Sequence, residues 1–255
     1  MSQPIIIRFH GQLNDFLQAQ LKDRAFDVAF KKTRSVKDLI ESIGIPHTEI
    51  HLIICNDKSV AFDYQVRPGD RIEVYPLSVS PVLSQSDHAI VYCQPEALSE
   101  HRFVLDVHLG KLASYLRMLG FDTLYRNDYD DPVLADISAA EQRILLTCDR
   151  MLLMRKQVSY GYYVRNRQPQ QQLLEILSRY ELYAQVKSFS RCMHCNGSTR
   201  PVSKRSIETR LLAKTKKHYN DFYQCDTCKK IYWKGSHYQE MKKLIDRFKT
   251  GDVYK

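Results

Sequence analysis

Four of the seven cysteines fall into two Cys-x-x-Cys pairs, Cys192 with Cys195 and Cys225 with Cys228, with 29 residues between the pairs. Each pair can wrap a knuckle around one ion, and four thiolates in tetrahedral array suit Zn2+. A four-thiolate site is coordinatively closed, so the expected zinc is structural rather than catalytic. The length of the insert implies that the two knuckles come from separate hairpins of a zinc ribbon. Redox chemistry is the rival reading for either pair alone, and the presence of two pairs argues against it. His194, inside the first knuckle, reads as a bystander. Cys55, Cys93 and Cys148 are scattered, have no implied histidine partner, and read as buried small side chains.

A second group of residues could do chemistry of another kind. Asp106, the Asp128, Asp130 and Asp131 cluster, and Asp149 each follow a segment expected to be a strand. In an open parallel sheet the carboxyl ends of the strands share one edge, where ligands bind. Carboxylates converging there repel one another unless a cation lies among them, and hard oxygen donors suit Mg2+ or Mn2+. Such a site can hold a phosphodiester and activate a water. The plainer reading is that each aspartate caps a helix. It fits Asp131, which precedes Pro132, competes at Asp149, and accounts less well for three strand ends at once.

The elements needed to position these residues are legible in the pattern. Phe103–Leu105 forms a strand before Asp106, and Leu109, Leu112, Ala113, Leu116 and Leu119 mark a helix face closed by Gly120. Residues 122–126 form a second strand, and Pro132 opens a helix reaching about Gln142. Residues 144–147 and 161–165 form two more strands, and a helix runs from Pro169 to Tyr180. Alternating strand and helix predicts a parallel sheet with helices on its faces.

Upstream lies a smaller α+β pattern. Residues 5–9 are β-rich, residues 15–22 form a short connecting or helical stretch, and Val36 to Ile43 has helical spacing, with Ser35 as N-cap and Gly44 as C-cap. Residues 50–56 and 71–76 read as strands, with a turn at Val66-Arg67-Pro68-Gly69-Asp70 between them. The run Val66-Arg67-Pro68-Gly69-Asp70-Arg71-Ile72-Glu73-Val74-Tyr75-Pro76 resembles the last strands of the ubiquitin-like, β-grasp sulfur carriers, a resemblance that covers residues 4–77. Those carriers act through a free Gly-Gly terminus. Here the chain continues through Leu77 to Pro81, so a docking role toward a protein partner is the reading that remains.

The charge of +9 is unevenly placed: residues 185–255 hold 17 Lys and Arg against 6 Asp and Glu, a net of +11, and the rest of the chain sums to −2. A basic third implies an anionic partner, and nucleic acid leads because Tyr219, Phe222, Tyr223, Tyr232, Trp233 and Tyr238 are interleaved with lysines and could stack bases. The alternative is a solvated basic face with its aromatics in a small core. No apolar run approaches the roughly 20 residues of a membrane span, so no membrane partner is expected. With no basic leader or cleavage site at the start, the expected location is cytoplasmic.

The segments Phe103 to Ala113, Leu116 to Leu124, Ile144 to Arg150, Phe189 to Gly197 and Tyr232 to His237 closely resemble the PIN-like RNase family named for the C-terminal domain of the Mut-seven exonuclease. The resemblance covers about residues 101–245, and some bacterial members also carry a ubiquitin-like domain in front. It implies a metal-dependent ribonuclease acting on RNA. Asp106 matches the first acidic position and Asp149 the last. The middle ligand is Asp128 or Asp131. The fourth acidic position has no match, since Arg165 and Asn166 follow the last strand; Asn166 could serve as a neutral oxygen ligand.

Lys111, Arg117 and Arg150 lie near these acids in sequence and could grip phosphate or pair with the carboxylates. Arg117, on a helix, reads as a surface ion-pair partner. Lys214, Lys216, Lys217 and Lys234 belong to the basic ribbon and would hold the RNA backbone. The expected architecture is an α+β β-grasp domain over 1–78 and a linker over 79–100. An α/β PIN-like domain with a parallel sheet follows over 101–185, and a zinc ribbon with a C-terminal segment, packed with the nuclease domain, over 186–255. The rival functional readings are a non-catalytic RNA-binding adaptor, which needs zinc but no Mg2+, and a small-molecule phosphoesterase using the same carboxylates.

Overall fold

In the computed structural model, which describes residues 3–79 and 89–249, the chain begins with strands β1 (Ile5–Phe9) and β2 (Phe26–Val28). Helix α1 (Val36–Ile43) follows, then β3 (Leu52–Cys55), β4 (Lys58–Ser59) and β5 (Arg71–Tyr75). The sheet runs β2-β1-β5-β3-β4. Strands β1 and β5 are parallel, with Ile7 opposite Ile72, and the other neighbours are antiparallel. Alternation sends Ile5, Ile7 and Phe9 into one core with Leu39 and Ile40 of α1. The helix ends are set as the sequence predicts: Ser35 Oγ accepts from Asp38 N at 3.0 Å, and Gly44 turns the chain at φ 101°. The turn before β5 is tied by Asp70, which accepts from Arg67 N at 2.8 Å and from Asn56 Nδ2 at 2.9 Å.

The next stretch holds β6 (Phe103–Leu105), α2 (Gly110–Met118) and β7 (Thr123–Leu124). It continues with α3 (Asp131–Glu141), β8 (Ile144–Thr147), α4 (Arg150–Leu153), β9 (Gly161–Tyr163) and α5 (Pro169–Arg179). Strand β6 pairs with β7 and β8 with β9, both in parallel, as alternating strand and helix requires. All four residues of β8 are buried, the run expected of a strand covered on both faces.

Beyond α5 the chain forms β10 (Thr199–Val202), α6 (Lys204–Ile207), α7 (Ala213–His218), β11 (Phe222–Cys225), β12 (Ile231–Trp233) and α8 (Ser236–Lys249). Strands β10, β11 and β12 make an antiparallel sheet in that order. The insert between the cysteine pairs therefore contains β10, the short helices α6 and α7, and most of β11. Helix α5 packs on α2 and on α8.

The compact units do not follow linear order. One comprises residues 1–99 with 131–163, the other residues 100–130 with 164–255. In the first unit the β-grasp sheet is bonded to the later segment by buried polar groups. Glu49, 4% exposed, accepts from Tyr163 N at 2.7 Å. His47 Nε2 lies 2.8 Å from the Val158 carbonyl and its Nδ1 2.7 Å from Glu41. The Phe16 and Tyr163 rings meet edge to face at 5.1 Å. The β-grasp segment thus docks, at least in part, within its own chain. Residues 91–94 run beside β3: Cys93 N donates to the His51 carbonyl at 2.8 Å, and Gln94 Nε2 donates to the Thr48 carbonyl at 3.0 Å. Residues 80–88, in the first half of the expected linker, lie outside the described residues.

Candidate functional site

The two cysteine knuckles are built alike. In the first, Cys192 N donates to Gly197 O at 2.8 Å and Asn196 N to Cys192 O at 2.9 Å. In the second, Cys225 N donates to Lys230 O at 3.0 Å and Lys229 N to Cys225 O at 3.2 Å, at the same sequence offsets. The residue after each second cysteine is left-handed, Asn196 at φ 64° and Lys229 at φ 60°. Each second cysteine turns its amide onto the first sulfur, at 3.5 Å in one knuckle and 3.4 Å in the other.

The four sulfurs lie within 4.8 Å of one another, with Cys192 to Cys228 and Cys195 to Cys225 both at 3.5 Å. A disulfide needs about 2.05 Å. Tetrahedral Zn–S bonds of about 2.3 Å place sulfurs about 3.8 Å apart. Spacing and donor set therefore fit a four-thiolate zinc site. Among the described residues, these are the one group of three or more Cys, His, Asp or Glu whose ligand atoms are so gathered. Burial opposes ionisation of Cys192, but the Tyr232 hydroxyl at 3.0 Å, the amides of Cys195 and His194, and Cys228 bring its thiol down to about 6. Burial, with the neighbouring sulfurs, pushes the Cys228 thiol up to about 12.

The first knuckle is locked to the segment that carries β7. Asn196 accepts from Thr123 N at 3.0 Å and donates to Asp122 at 2.8 Å, while Arg191 pairs with the other Asp122 oxygen at 3.1 Å. Arg117 corrects the expectation of a surface ion pair. It is 5% exposed, and its Nε donates to Thr123 O at 2.8 Å. Its Nη1 reaches Met193 O at 3.2 Å and His194 O at 3.0 Å. Burial lowers its pKa, while the neighbouring Cys192 and Cys195 favour its charge. The polypeptide before the knuckle lies against the end of α2, where Lys187 N donates to Leu119 O at 2.9 Å and Phe189 N to Met118 O at 3.0 Å. A Cβ at Gly120, at φ 98°, would collide with the Lys187 carbonyl oxygen. Cys148 is a further correction, since it is exposed; Cys55 is buried and Cys93 partly so.

The acidic residues occupy strand ends and helix starts. Asp106, 5% exposed, follows β6 and accepts from His108 N at 2.8 Å, capping a short 3-10 turn. Asp149 follows β8, is exposed, and caps α4 by accepting from Met151 N at 2.7 Å. Asp131 is the first residue of α3. Asp128 is exposed and gripped by Arg126 through two bonds of 2.8 and 2.6 Å, which holds its carboxyl below its ordinary range. Asn166 donates its side-chain amide to Glu175 at 2.7 Å, and Glu175 also accepts from the amides of Arg165 and Asn166. Glu175 is an acid the sequence reading passed over, because it lies inside a helix rather than at a strand end.

Among the basic residues, Lys111 is exposed on α2. Arg150 directs Nη1 to the Phe16 carbonyl at 3.3 Å. Lys214, Lys216 and Lys217 lie on α7, where Lys216 pairs with Glu208 at 2.5 Å. Lys234 is exposed just after β12.

Residues 101–245 match the family model described as the Mut7-C RNAse domain, and residues 2–81 match that described as Mut7-C ubiquitin. No curated protein and no solved structure gave a significant match. No helix of the described residues is long and apolar enough to cross a membrane.

Proposed function

The chain belongs to the Mut7-C RNAse-domain family, and from that premise we propose that it is a metal-dependent ribonuclease hydrolysing RNA phosphodiester bonds. The observation that carries this reading is the RNase-domain match across residues 101–245. Asp106, Asp149 and one of Asp128 or Asp131 are the residues that would hold Mg2+ or Mn2+, their oxygens being hard donors. A bound divalent cation there would offset phosphate charge and make water a better nucleophile. Asp106 is the anchor of the set, since it ends a buried strand and its own capping bond fixes its orientation. Lys111 and Arg150 would hold phosphate, and Lys214, Lys216, Lys217 and Lys234 the RNA backbone. The zinc site shapes the ribbon and takes no part in the chemistry. Water adds to phosphorus, one ester P–O bond breaks, and the leaving oxygen takes a proton, so no side-chain nucleophile is required. A reducing, cytoplasmic setting suits the four clustered thiols, which serve there as metal ligands rather than disulfides.

The alternative is an RNA-binding adaptor without catalysis, favoured by the grip of Arg126 on Asp128. Cleavage of labelled single-stranded and structured RNAs with Mn2+, Mg2+ or EDTA, comparing the native chain with Asp106→Asn, separates the two. Metal-dependent cleavage lost in the variant supports the ribonuclease. Zinc-loaded native protein that binds RNA and never cuts it is the adaptor.

A further inference from the structure

Helix α7, strand β12 and the start of α8, with Met118, Phe189 and Met193, line an open cavity of about 600 Å3. That volume lies within the roughly 300–1,000 Å3 of small-ligand sites. Its lining includes Tyr219, Tyr232, Trp233 and Tyr238, with Lys214 and His218 from α7. Tyr219 and Trp233 meet at 6.1 Å with their planes tilted by 46°, and both rings remain partly exposed. The Tyr232 hydroxyl lies on Cys192 Sγ at 3.0 Å, so one wall of the cavity is held by the metal knuckle.

We infer that this cavity is a base-binding subsite, which takes an unstacked nucleobase of single-stranded RNA against Trp233 and Tyr219. Aromatic walls give a flat base the face-to-face contact that every base can use, and Lys214 meets the adjoining phosphate. The net +11 of residues 185–255 supplies the complementary charge. A duplex would not enter, because its bases are already stacked. The inference rests on RNA being the substrate and deepens that reading: the ribbon would bind bases as well as backbone.

Trp233 is the sole tryptophan of the chain, so its fluorescence reports on this cavity. The experiment uses the full-length, zinc-loaded Asp106→Asn chain, so that binding is read independently of cutting. It is titrated with oligo(U), with a ribose-phosphate oligomer of equal length lacking bases, and with an RNA duplex, while anisotropy of labelled oligomers measures affinity. The expected result is saturable quenching by oligo(U), and binding weaker by roughly ten-fold or more for the baseless oligomer and for oligo(U) on a chain also carrying Tyr219→Ala. RNA bound without quenching, equal affinity for the baseless oligomer, or no RNA bound at all would overturn the inference. Cleavage by the native chain judges the ribonuclease reading separately. If Tyr219→Ala loses its zinc, the baseless oligomer decides alone.

Discussion

Arg117 donates to the carbonyl oxygen of His194 at 3.0 Å, joining helix α2 to the first cysteine knuckle across 77 residues of chain. A divalent ion on four thiolates leaves a net charge of about −2, and a buried guanidinium nearby offsets part of it. The same fork holds Thr123 and Met193. Arg117→Lys keeps the charge and loses the fork. It should destabilise the chain by about 2–4 kcal/mol and speed the release of zinc to a chelator. Unchanged denaturation and zinc release would mean that water replaces the guanidinium without cost.

Metal removal should be local. Native mass spectrometry is expected to find one zinc per chain. A strong chelator should raise amide exchange across residues 190–233, since the four gathered thiolates that join the two knuckles repel one another once the ion between them is gone. The β-grasp strands should keep their protection. Loss of protection in both regions together would show that the ribbon is not an independent folding element.

Glu49 offers a direct test of how the β-grasp segment is held. Glu49→Ala leaves the Tyr163 amide without its acceptor and should cost about 1–3 kcal/mol. Exchange at Tyr163 should rise while exchange in β1 stays unchanged. Tyr163 protection equal to that of the native chain would exclude Glu49 as its acceptor in solution.

Salt dependence should separate the lysines of α7. Changing Lys214 and Lys217 to Gln should flatten the salt slope of RNA binding by about 0.7 for each phosphate that is no longer neutralised. Lys216→Gln should matter less, because Glu208 already occupies that ammonium group. If Lys216→Gln has the largest effect, that ion pair opens on binding.

Much of this was legible in the residues. The Ser35 and Gly44 caps, strand β8 and Pro169 at the start of α5 are local signals, and each emerges where the pattern places it. The cysteine pairs are equally local, and their convergence follows from thiolate chemistry. What escaped depends on partners far away in sequence. Arg117 reads as a surface residue because its acceptors are carbonyls, which every residue carries and no pattern marks. Asn196 and Asp122 lock the knuckle to β7 across 74 residues. Cys148 is exposed although its residue type favours burial, because it falls just past the end of β8. The β-grasp run marks its own fold but carries no sign that Glu49 and His47 are spent on residues 158–163.

The sharing of one compact unit by residues 1–99 and 131–163 bears on how such a chain can change over generations. Two sequence families meet ahead of residue 101, yet the physical seam lies elsewhere. A recombination event that exchanged the front module at that boundary would hand its successor a strand whose Tyr163 amide and Val158 carbonyl were shaped for Glu49 and His47. A chain without the front module would lose both bonds at β9 and just before it. Compensating substitutions are expected there rather than around the cysteines.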